Sequence, residues 1–206
     1  ANPQPLAKSG DDLRIQWGSL YLAVPHGSVS FEQEKMAWLK GSIELNTENN
    51  TKGLFLLAYD DEEKALMYFH QPIPSFWTLN GNDICQILLR SLEQAEELLA
   101  ACHQFSQNLY AEAEKAGGAQ YAELCSLAYR QVIGAHKLAA GPDGELLFVS
   151  KECYSNGCAA TVDVSYPSVP LFLRYCPELV KGMLRPVFRY AQSEQWPFDF
   201  APHDAG

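Results

Sequence analysis

Apolar and polar residues alternate with a period of two along the first third of the chain, which is typical of β-strands. Between residues 13 and 69 the alternation marks several strands separated by turn residues. Residues 31–39 fit either a strand or a short helix. The clearer strand segments are 13–17, 20–22, 42–46 and 54–59, the last of which is apolar and predicted to be buried. These patterns predict an antiparallel, β-sandwich-like region.

A helical period of 3.6 replaces the alternation after the proline-rich segment at 71–74, which is the predicted domain boundary. One long helix is predicted from an N-cap at Asn82 or Asp83 to the glycine pair at 117–118. A second helix is predicted over residues 119–139, which makes a helical hairpin. Its predicted inward positions are Tyr121, Leu124, Cys125, Ala128, Val132 and Ala135.

Turn residues and prolines divide the rest of the chain. The Gly-Pro-Asp-Gly segment at 141–144 predicts a turn, and a short strand is predicted over residues 145–149. Residues 163–175 are predicted to be a helix or a broken helix, because two prolines interrupt them. Pro177 suits the first position of a last helix that extends to about Ser193. The fold class predicted from these elements is α+β.

Composition narrows the classes of partner. The chain has 206 residues, of which 47% are hydrophobic and 12% aromatic, enough to build a core. Its net charge is −10 at pH 7 and it has no Lys/Arg-rich run, so it lacks the cationic surface that nucleic acids require. No apolar run approaches the roughly 20 residues of a membrane span, and the N-terminal residues do not resemble a signal peptide. We expect no nucleic-acid partner and no membrane insertion.

The six cysteines do not form a metal-binding pattern. Neither a C-x-x-C pair nor a Cys/His spacing typical of zinc occurs, so no metal site is expected. Cys85, Cys102 and Cys125 fall within helical apolar patterns and are predicted to be buried thiols. Cys153 and Cys158 flank a Ser-Asn-Gly turn and could form a local disulfide.

The most informative segment begins at Lys151, where charged and amide side chains occur among glycines and aromatic residues. Lys151 and Glu152 follow an apolar strand, and a carboxylate beside an amine can act as a general acid or base in a partly dry site. Two solvated charges at a strand end would give the same pattern. Asn156 offers both a donor and an acceptor to an amide or a hydroxyl, although Asn-Gly is also an ordinary tight turn.

Further candidates lie later in the chain. Asp163 is flanked by valines, so its carboxylate is predicted to be buried and paired or functional, unless it caps the following helix. His203 and Asp204 can pair only if the backbone turns between them, and a disordered C-terminus is the alternative. Tyr166 could supply a stacking surface. His136, on the second predicted helix, is expected to make a core contact. The nucleophile motif G-x-S-x-G and the glycine-rich nucleotide motifs are absent.

Ordered segments along most of the chain resemble the glutaminase A family. They are the segments 15–23, 117–122, 127–131, 135–138 and 177–183, together with Ser-Lys-Glu at 150–152, Ser-Asn-Gly at 155–157, Thr-Val-Asp-Val at 161–164, Tyr-Pro-Ser at 166–168 and His-Asp at 203–204. Ala205 departs from the larger apolar residue usual in that family.

The resemblance implies an architecture and a setting. Residues 1–75 would be the end of the β-sandwich-like region, and residues 76–206 the first hairpins of a six-hairpin α/α toroid. The family is microbial, with many bacterial members, and its proteins are typically secreted or periplasmic. The chain would then be a segment of a longer enzyme.

The activity that the resemblance implies is that of a glutaminase-type amidohydrolase, which releases ammonia from glutamine or a related amide without a cofactor. In this hypothesis Glu152 or Asp163 activates water and His203 protonates the leaving amine. The candidate catalytic residues are Glu152, Asp163, His203 and Asp204, and the candidate substrate-binding residues are Lys151, Asn156 and Tyr166.

Two alternatives remain open at this point. The toroid is shared with glycosidases, and Glu152 with Asp163 could act as the two carboxylates of an inverting glycoside hydrolase, roughly 6.5–9.5 Å apart. A non-catalytic interaction segment is the other alternative, since a partial toroid would expose apolar helix faces that favour a partner or a homo-oligomer.

Overall fold

The computed structural model describes residues 18–46, 48, 52–62, 66–69, 71–151 and 158–205. Within these ranges the chain forms six α-helices and four two-stranded antiparallel sheets. The predicted mixture of α and β structure is therefore confirmed. The described strands pair two by two, so a β-sandwich at the N-terminus stays a prediction.

The N-terminal strands form two antiparallel pairs. Strand β1 (Ser19–Ala23) pairs with β4 (Leu56–Asp60), and β2 (Ser28–Gln33) pairs with β3 (Ala37–Ser42) as a hairpin. The hairpin settles the ambiguity of residues 31–39, which end one strand and begin the next. The strand predicted at residues 13–17 lies outside the described ranges.

The strand predicted at residues 42–46 is wrong. Strand β3 ends at Ser42, and residues 43–45 belong to no named strand. The side chain of Asn46 accepts a hydrogen bond from the Glu48 amide at 3.0 Å, which is the geometry of an Asx turn. Turn chemistry therefore outweighs the apolar alternation in this segment.

The burial predicted for residues 54–59 is also wrong. Leu57 and Tyr59 of β4 are 67% and 53% exposed. A strand in a two-stranded sheet can bury one face while the other stays open, and the described residues leave that second face uncovered.

The predicted long helix is two helices, α1 (Ile84–Glu93) and α2 (Ala95–Gly117), which meet at Gln94. Asp83 caps α1, as predicted. Its carboxylate accepts a hydrogen bond from the Gln86 amide at 2.8 Å, and the Gln86 side chain accepts one from the Asp83 amide at 3.1 Å. This reciprocal pair satisfies two amides that the first turn of a helix leaves without partners.

A single residue, Gly118, joins α2 to α3 (Ala119–Ala135) in the predicted helical hairpin. Its φ of +83° lies in the region that favours glycine. The prediction that the second helix extends to Ala139 is wrong, because the helix ends at Ala135 and His136–Ala140 form strand β7. The hydrogen-bond ladder to the next strand replaces the helical bonds there.

The buried face of α3 agrees only in part with the predicted one, since Cys125, Val132 and Ala135 are partly buried as predicted. Tyr121 and Leu124 are 48% and 62% exposed, whereas Ala122 is fully buried. Tyr129 packs inward against Phe105 of α2, with ring centroids 5.0 Å apart. At the start of α3 the inward side therefore contains Ala122 rather than the larger Tyr121 and Leu124.

The cysteine predictions are partly wrong. Cys85 on α1 and Cys102 on α2 are exposed, and Cys125 on α3 is partly buried. The described residues leave one side of α1 and α2 uncovered, so the apolar pattern around the first two thiols does not bury them. Cys153 lies outside the described ranges, and its disulfide with Cys158 stays a prediction.

Strands β7 and β8 form a hairpin at the centre of the helical part. Strand β8 (Leu146–Ser150) is antiparallel to β7, and the predicted turn joins them through a 2.9 Å hydrogen bond from the Gly144 amide to the Gly141 oxygen. Helix α6 (Pro177–Ala191) packs along β8, and Gly182 lies against Phe148 there. The absence of a side chain at Gly182 permits this close approach.

Apolar residues pack on both faces of the β7–β8 hairpin. On one face Leu147 and Val149 meet Val187 of α6, and on the other Phe148 meets Phe172 and Met183. The first cluster also contains Leu66, Tyr68, Ile73, Ala139 and Ala160. Tyr68 of the short strand β5 (Met67–Tyr68), Leu66 before it and Ile73 after the short strand β6 (Gln71–Pro72) therefore share a core with the hairpin.

A broken helix, one of the two predicted possibilities, lies between β8 and α6. It consists of α4 (Val162–Ser165), a 3₁₀ turn (Tyr166–Ser168) and α5 (Val169–Tyr175). Pro177 occupies the first turn of α6, as predicted. Pro186 is buried inside α6, which continues past it.

Two short segments extend the central sheet beyond β8. The Ala160 amide donates a 2.8 Å hydrogen bond to the Ser150 oxygen, next to an isolated bridge between Lys151 and Ala159. The Ala205 amide in turn donates a 3.0 Å hydrogen bond to the Ala159 oxygen. The C-terminal residues are thus held on the edge of the sheet.

Candidate functional site

His203 lies between two carboxylates. Its Nδ1 atom is 3.0 Å from Oδ2 of Asp204, and its Nε2 atom is 3.5 Å from Oδ1 of Asp163. The shorter contact is a hydrogen bond, and the longer one is within ion-pair range when the imidazole is protonated. The structure thus brings together three of the predicted catalytic side chains.

Backbone hydrogen bonds place His203 beside Asp163. The Val162 amide donates a 2.8 Å hydrogen bond to the His203 oxygen, and Asp163 follows in the first turn of α4. A bend in the chain at His203 brings the Asp204 side chain to the imidazole, whereas neighbours in a regular strand would point to opposite faces. The turn that the predicted pair requires is therefore present.

The three side chains differ in exposure. The Asp163 side chain is 70% exposed, so the predicted burial of its carboxylate is wrong. It is not the cap of α4 either, since Thr161 holds that position. His203 is 60% exposed and Asp204 only 23%. Solvent and ligands can therefore reach His203 from the Asp163 side, while Asp204 is the more enclosed partner.

This arrangement suits controlled proton transfer. In the imidazolium form, both N–H groups of His203 face a carboxylate oxygen. When the Nε2 proton leaves, the Nδ1–H group can remain donated to Asp204, which keeps the ring in one orientation. The group can therefore deliver or accept a proton at Nε2, beside Asp163, without rotating.

The other predicted site residues are less fully described. Lys151 follows β8 and forms an isolated bridge with Ala159, and its amide donates a 3.0 Å hydrogen bond to the Ala135 oxygen. Tyr166 directly follows α4 and is 75% exposed. Glu152 and Asn156 lie outside the described ranges, so their roles stay predictions.

A chain of buried hydroxyl groups links the end of β8 to the start of α4. Ser168 donates to the Ser165 oxygen at 2.6 Å, and the Ser165 hydroxyl donates to the Ser150 hydroxyl at 3.0 Å. The Ser150 hydroxyl donates to the Thr161 oxygen at 3.3 Å. All four residues are buried. Sequence patterns gave no sign of them, because serine and threonine are mostly surface residues.

A buried ion pair joins β7 to the residues after β4. The Lys137 ammonium contacts the Asp61 carboxylate, and the two side chains are 15% and 7% exposed. Burial lowers the pKa of Lys137 to about 8, the charge of Lys151 acts in the same direction, and Asp60 opposes it. A pKa of about 8 leaves the amine mostly protonated at pH 7, as an ion pair requires. No sequence pattern indicated this pair.

His136 makes a core contact, as predicted. Its ring stacks on Phe148 with centroids 4.6 Å apart, and its Nδ1 atom lies 2.7 Å from the Val132 oxygen. Burial lowers the pKa of His136 below its ordinary value of 6.5, although the bond to Val132 acts in the opposite direction. Within the described part of the chain, Nε2 of His136 is buried and makes no hydrogen bond.

Among the described residues, no group of three or more His, Cys, Asp or Glu side chains is placed to hold a metal ion. In the same part of the chain, each helix is too short or too polar to cross a membrane.

Comparisons with known proteins point to one family. Residues 118–206 match the family model described as the glutaminase A six helical-hairpin domain. A probable glutaminase of Arthroderma benhamiae is 36% identical over 104 residues, which are 50% of this chain and 12% of that protein. Glutaminase A of Aspergillus oryzae is 32% identical over 154 residues, which are 70% of this chain and 22% of that protein.

The chain matches only part of the length of these relatives. The chain spans less than a quarter of the length of either curated relative, at 12% and 22%. No solved structure matches it significantly. All the predicted site residues, from Lys151 to Asp204, lie inside the matched range 118–206.

Proposed function

Because the matched domain and both relatives support its assignment to the glutaminase A family, we propose that this chain is a segment of a glutaminase A-like hydrolase. The proposed reaction is hydrolysis of the side-chain amide of glutamine, which gives glutamate and ammonia. Both relatives come from fungi, so they lend no support to the bacterial origin that the family resemblance suggests.

The observation that supports this reaction best is the position of His203 between Asp163 and Asp204. Amide hydrolysis needs a base to take a proton from the attacking water and an acid to protonate the leaving amine. An imidazole whose Nδ1 is held by one carboxylate, and whose Nε2 lies beside a second, exposed carboxylate, has the groups that these two transfers require.

In the proposed mechanism, the carboxylate of Asp163, or of Glu152, takes a proton from water as its oxygen attacks the amide carbon. His203 then gives its Nε2 proton to the amide nitrogen, the C–N bond breaks and ammonia leaves. The proton on the carboxylate then returns to His203. Asp204 holds the Nδ1–H group throughout, so the ring presents the same nitrogen in both steps.

We assign substrate binding to Lys151, Asn156 and Tyr166. The ammonium of Lys151 can pair with the α-carboxylate of glutamine, and Asn156 can both donate to and accept from an amide. The exposed ring of Tyr166 follows α4, next in the chain to the Asp163 turn. The backbone bridge from Lys151 to Ala159, and the bond from Ala205 to Ala159, support this grouping.

The test is ammonia release from L-glutamine by the full-length protein and by this 206-residue chain side by side. The variants are His203→Asn and Asp163→Asn, and the control is Asp143→Asn. Asp143 has an 80% exposed side chain in the β7–β8 turn, so its exchange is the same chemical change away from the site. We expect each site variant to lower kcat by about 10²–10⁴-fold and the control to match the wild type.

Different outcomes separate the parts of this proposal. Ammonia release by the full-length protein but not by the chain would mean that residues outside the chain complete the site. Full activity of His203→Asn would exclude the imidazole from the chemistry. No ammonia release by either protein, together with turnover of a glycoside in a parallel screen, would replace the amidohydrolase with the six-hairpin glycosidase alternative.

We also propose secretion and a small-molecule amide substrate, following the family resemblance. Secretion is tested by detecting the protein in the culture medium of its native cells. Homo-oligomers through exposed helix residues such as Leu98, Leu99 and Leu124 are tested by light scattering over a range of concentrations.

A further inference from the structure

We propose that Ser150 is the positioning residue that sets the distance between Asp163 and His203, an inference that rests on the proposed function of this site. Ser150 is the last residue of β8 and is fully buried. It touches none of the three site side chains in the contacts described above. Its effect passes through the backbone that carries them.

Ser150 holds the segment before α4 at two points. Its backbone oxygen accepts a 2.8 Å hydrogen bond from the Ala160 amide, and its hydroxyl donates a 3.3 Å hydrogen bond to the Thr161 oxygen. The Ser165 hydroxyl donates to the Ser150 hydroxyl at 3.0 Å and so ties it to the end of α4. One side chain thus binds the residues on both sides of Asp163.

The segment held by Ser150 also binds residues 203–205 through backbone hydrogen bonds. Val162 follows Thr161 and donates to the His203 oxygen at 2.8 Å, while Ala159 precedes Ala160 and accepts from the Ala205 amide at 3.0 Å. Both anchors of His203 and Asp204 therefore lie within two residues of the backbone groups that bind Ser150. A shift of this segment changes the position of Asp163 and of His203 together.

Loss of the Ser150 hydroxyl leaves buried polar groups without partners. In a Ser150→Ala variant, the Ser165 hydroxyl loses its acceptor and the Thr161 oxygen keeps only the Ser165 amide, at 3.0 Å. Thr161 Oγ1, in the same buried set, already makes no hydrogen bond in the described part of the chain. Unsatisfied buried groups are costly, and the segment is expected to move to relieve them.

The readout is the pH titration of the His203 ring, followed by NMR in this 206-residue chain, which needs no catalytic activity. Among the described residues, the charged groups that face this ring are Asp163 and Asp204. The His203 signal is identified by its loss in His203→Asn. Removal of the nearby carboxylate in Asp163→Asn is expected to lower the titration midpoint, because a carboxylate favours the protonated ring.

We expect Ser150→Ala to move the His203 midpoint in the same direction as Asp163→Asn, and to lower kcat of the full-length enzyme with KM little changed. The matched control is Ser168→Ala, which removes an equally buried hydroxyl that bonds only to the Ser165 oxygen in the contacts described. This control is expected to lose a similar amount of thermal stability and to keep the wild-type midpoint.

An unchanged midpoint in folded Ser150→Ala would overturn the proposal, and so would an equal shift in Ser168→Ala. If Ser150→Ala does not fold, Ser150→Cys keeps the size of the side chain with a weaker donor. A smaller shift in the same direction then supports the positioning role, and no shift overturns it. Because the titration does not depend on turnover, absence of glutaminase activity would refute the proposed function without deciding this result.

Discussion

The Nε2 atom of His203 lies 3.5 Å from Oδ1 of Asp163, although the two residues belong to segments that only the fold brings together. Their proximity depends on a backbone hydrogen bond from the Val162 amide to the His203 oxygen at 2.8 Å. Because Asp204 binds the other ring nitrogen, the imidazole has a fixed partner on one side and a more exposed one on the other. Removal of the Asp204 carboxylate should therefore affect catalysis differently from removal of the Asp163 carboxylate.

Asp204→Asn should impair catalysis by releasing the orientation of His203. An asparagine can still accept from Nδ1 through its side-chain oxygen, but it can also present its amide group and favour the wrong ring tautomer. We expect kcat of the full-length enzyme to fall by about 10²-fold, with a smaller effect on KM. Steady-state kinetics of ammonia release measure this. Asp199→Asn, an exposed carboxylate in the same terminal stretch, is the control. Equal kinetics for the two variants would contradict an orienting role.

His136 should make stability depend on pH below its ordinary pKa. Burial lowers the pKa of His136 in the folded chain below 6.5, so the unfolded chain binds its proton first as pH falls. The stability that neutral His136 contributes is full above pH 6.5 and is lost as pH falls through the folded-state pKa. The slope approaches about 1.4 kcal/mol per pH unit at most.

Urea unfolding at several values between pH 5 and pH 7.5 checks this expectation. The variant His136→Phe keeps the aromatic stack on Phe148 and removes the titrating group, so its curve should be flatter in this range. His103→Gln changes an exposed histidine of α2 and serves as the control. A slope that is the same in wild type and His136→Phe would show that another group causes the acid sensitivity.

Removing only the Lys137 charge of the Lys137–Asp61 pair should destabilise the chain more than removing both charges. Lys137→Met leaves the Asp61 carboxylate buried without a partner, which costs about 3–5 kcal/mol for pairs of this kind. The double variant Lys137→Met/Asp61→Asn removes both charges and should recover a large part of that loss. Chemical denaturation of wild type, both single variants and the double variant gives the coupling. Additive losses would mean that the two side chains do not interact energetically.

Two glycine-to-alanine substitutions should change the free energy of unfolding in opposite directions. A Cβ on Gly182 would lie 3.0 Å from the Phe148 backbone nitrogen, so Gly182→Ala must push α6 away from β8, at a cost of about 1–3 kcal/mol. Gly134 lies in α3 with no atom within 4 Å of such a Cβ, so Gly134→Ala should stabilise the helix by about 0.5–1 kcal/mol. Thermal unfolding of both variants is the measurement. Stabilisation by Gly182→Ala would contradict the close packing of α6.

Local signals explain which parts of the fold could be predicted. The cap at Asp83, the turn at 141–144 and Pro177 at the start of α6 depend on neighbouring residues alone, so the sequence is sufficient for them. The end of α3 is different. The helical period continues to Ala139, but pairing with β8 places the last four of these residues in β7. Pairing between distant segments leaves no mark on periodicity.

The same difference between local and long-range signals applies to the candidate site. The types of Asp163, His203 and Asp204 are visible in the sequence as polar groups in an irregular setting, but the bond from Val162 to His203 that unites them is not. Two flanking valines predict an apolar setting for Asp163, but its side chain is exposed because neighbouring residues in a helix point in different directions. The burial of hydroxyls such as that of Ser150 cannot be predicted from the sequence, because it depends on hydrogen-bond partners that only the fold brings close.

Leu66, Tyr68 and Ile73 are buried in the same cluster as Leu147 and Val149 of the central hairpin. This arrangement bears on how such a protein can be rearranged during evolution. A gene fusion or deletion that began the helical part after residue 75 would remove three buried side chains and leave that hairpin face partly exposed to water. An exchanged module would keep this core intact only if it began before Leu66 and included the short strands along with the helices.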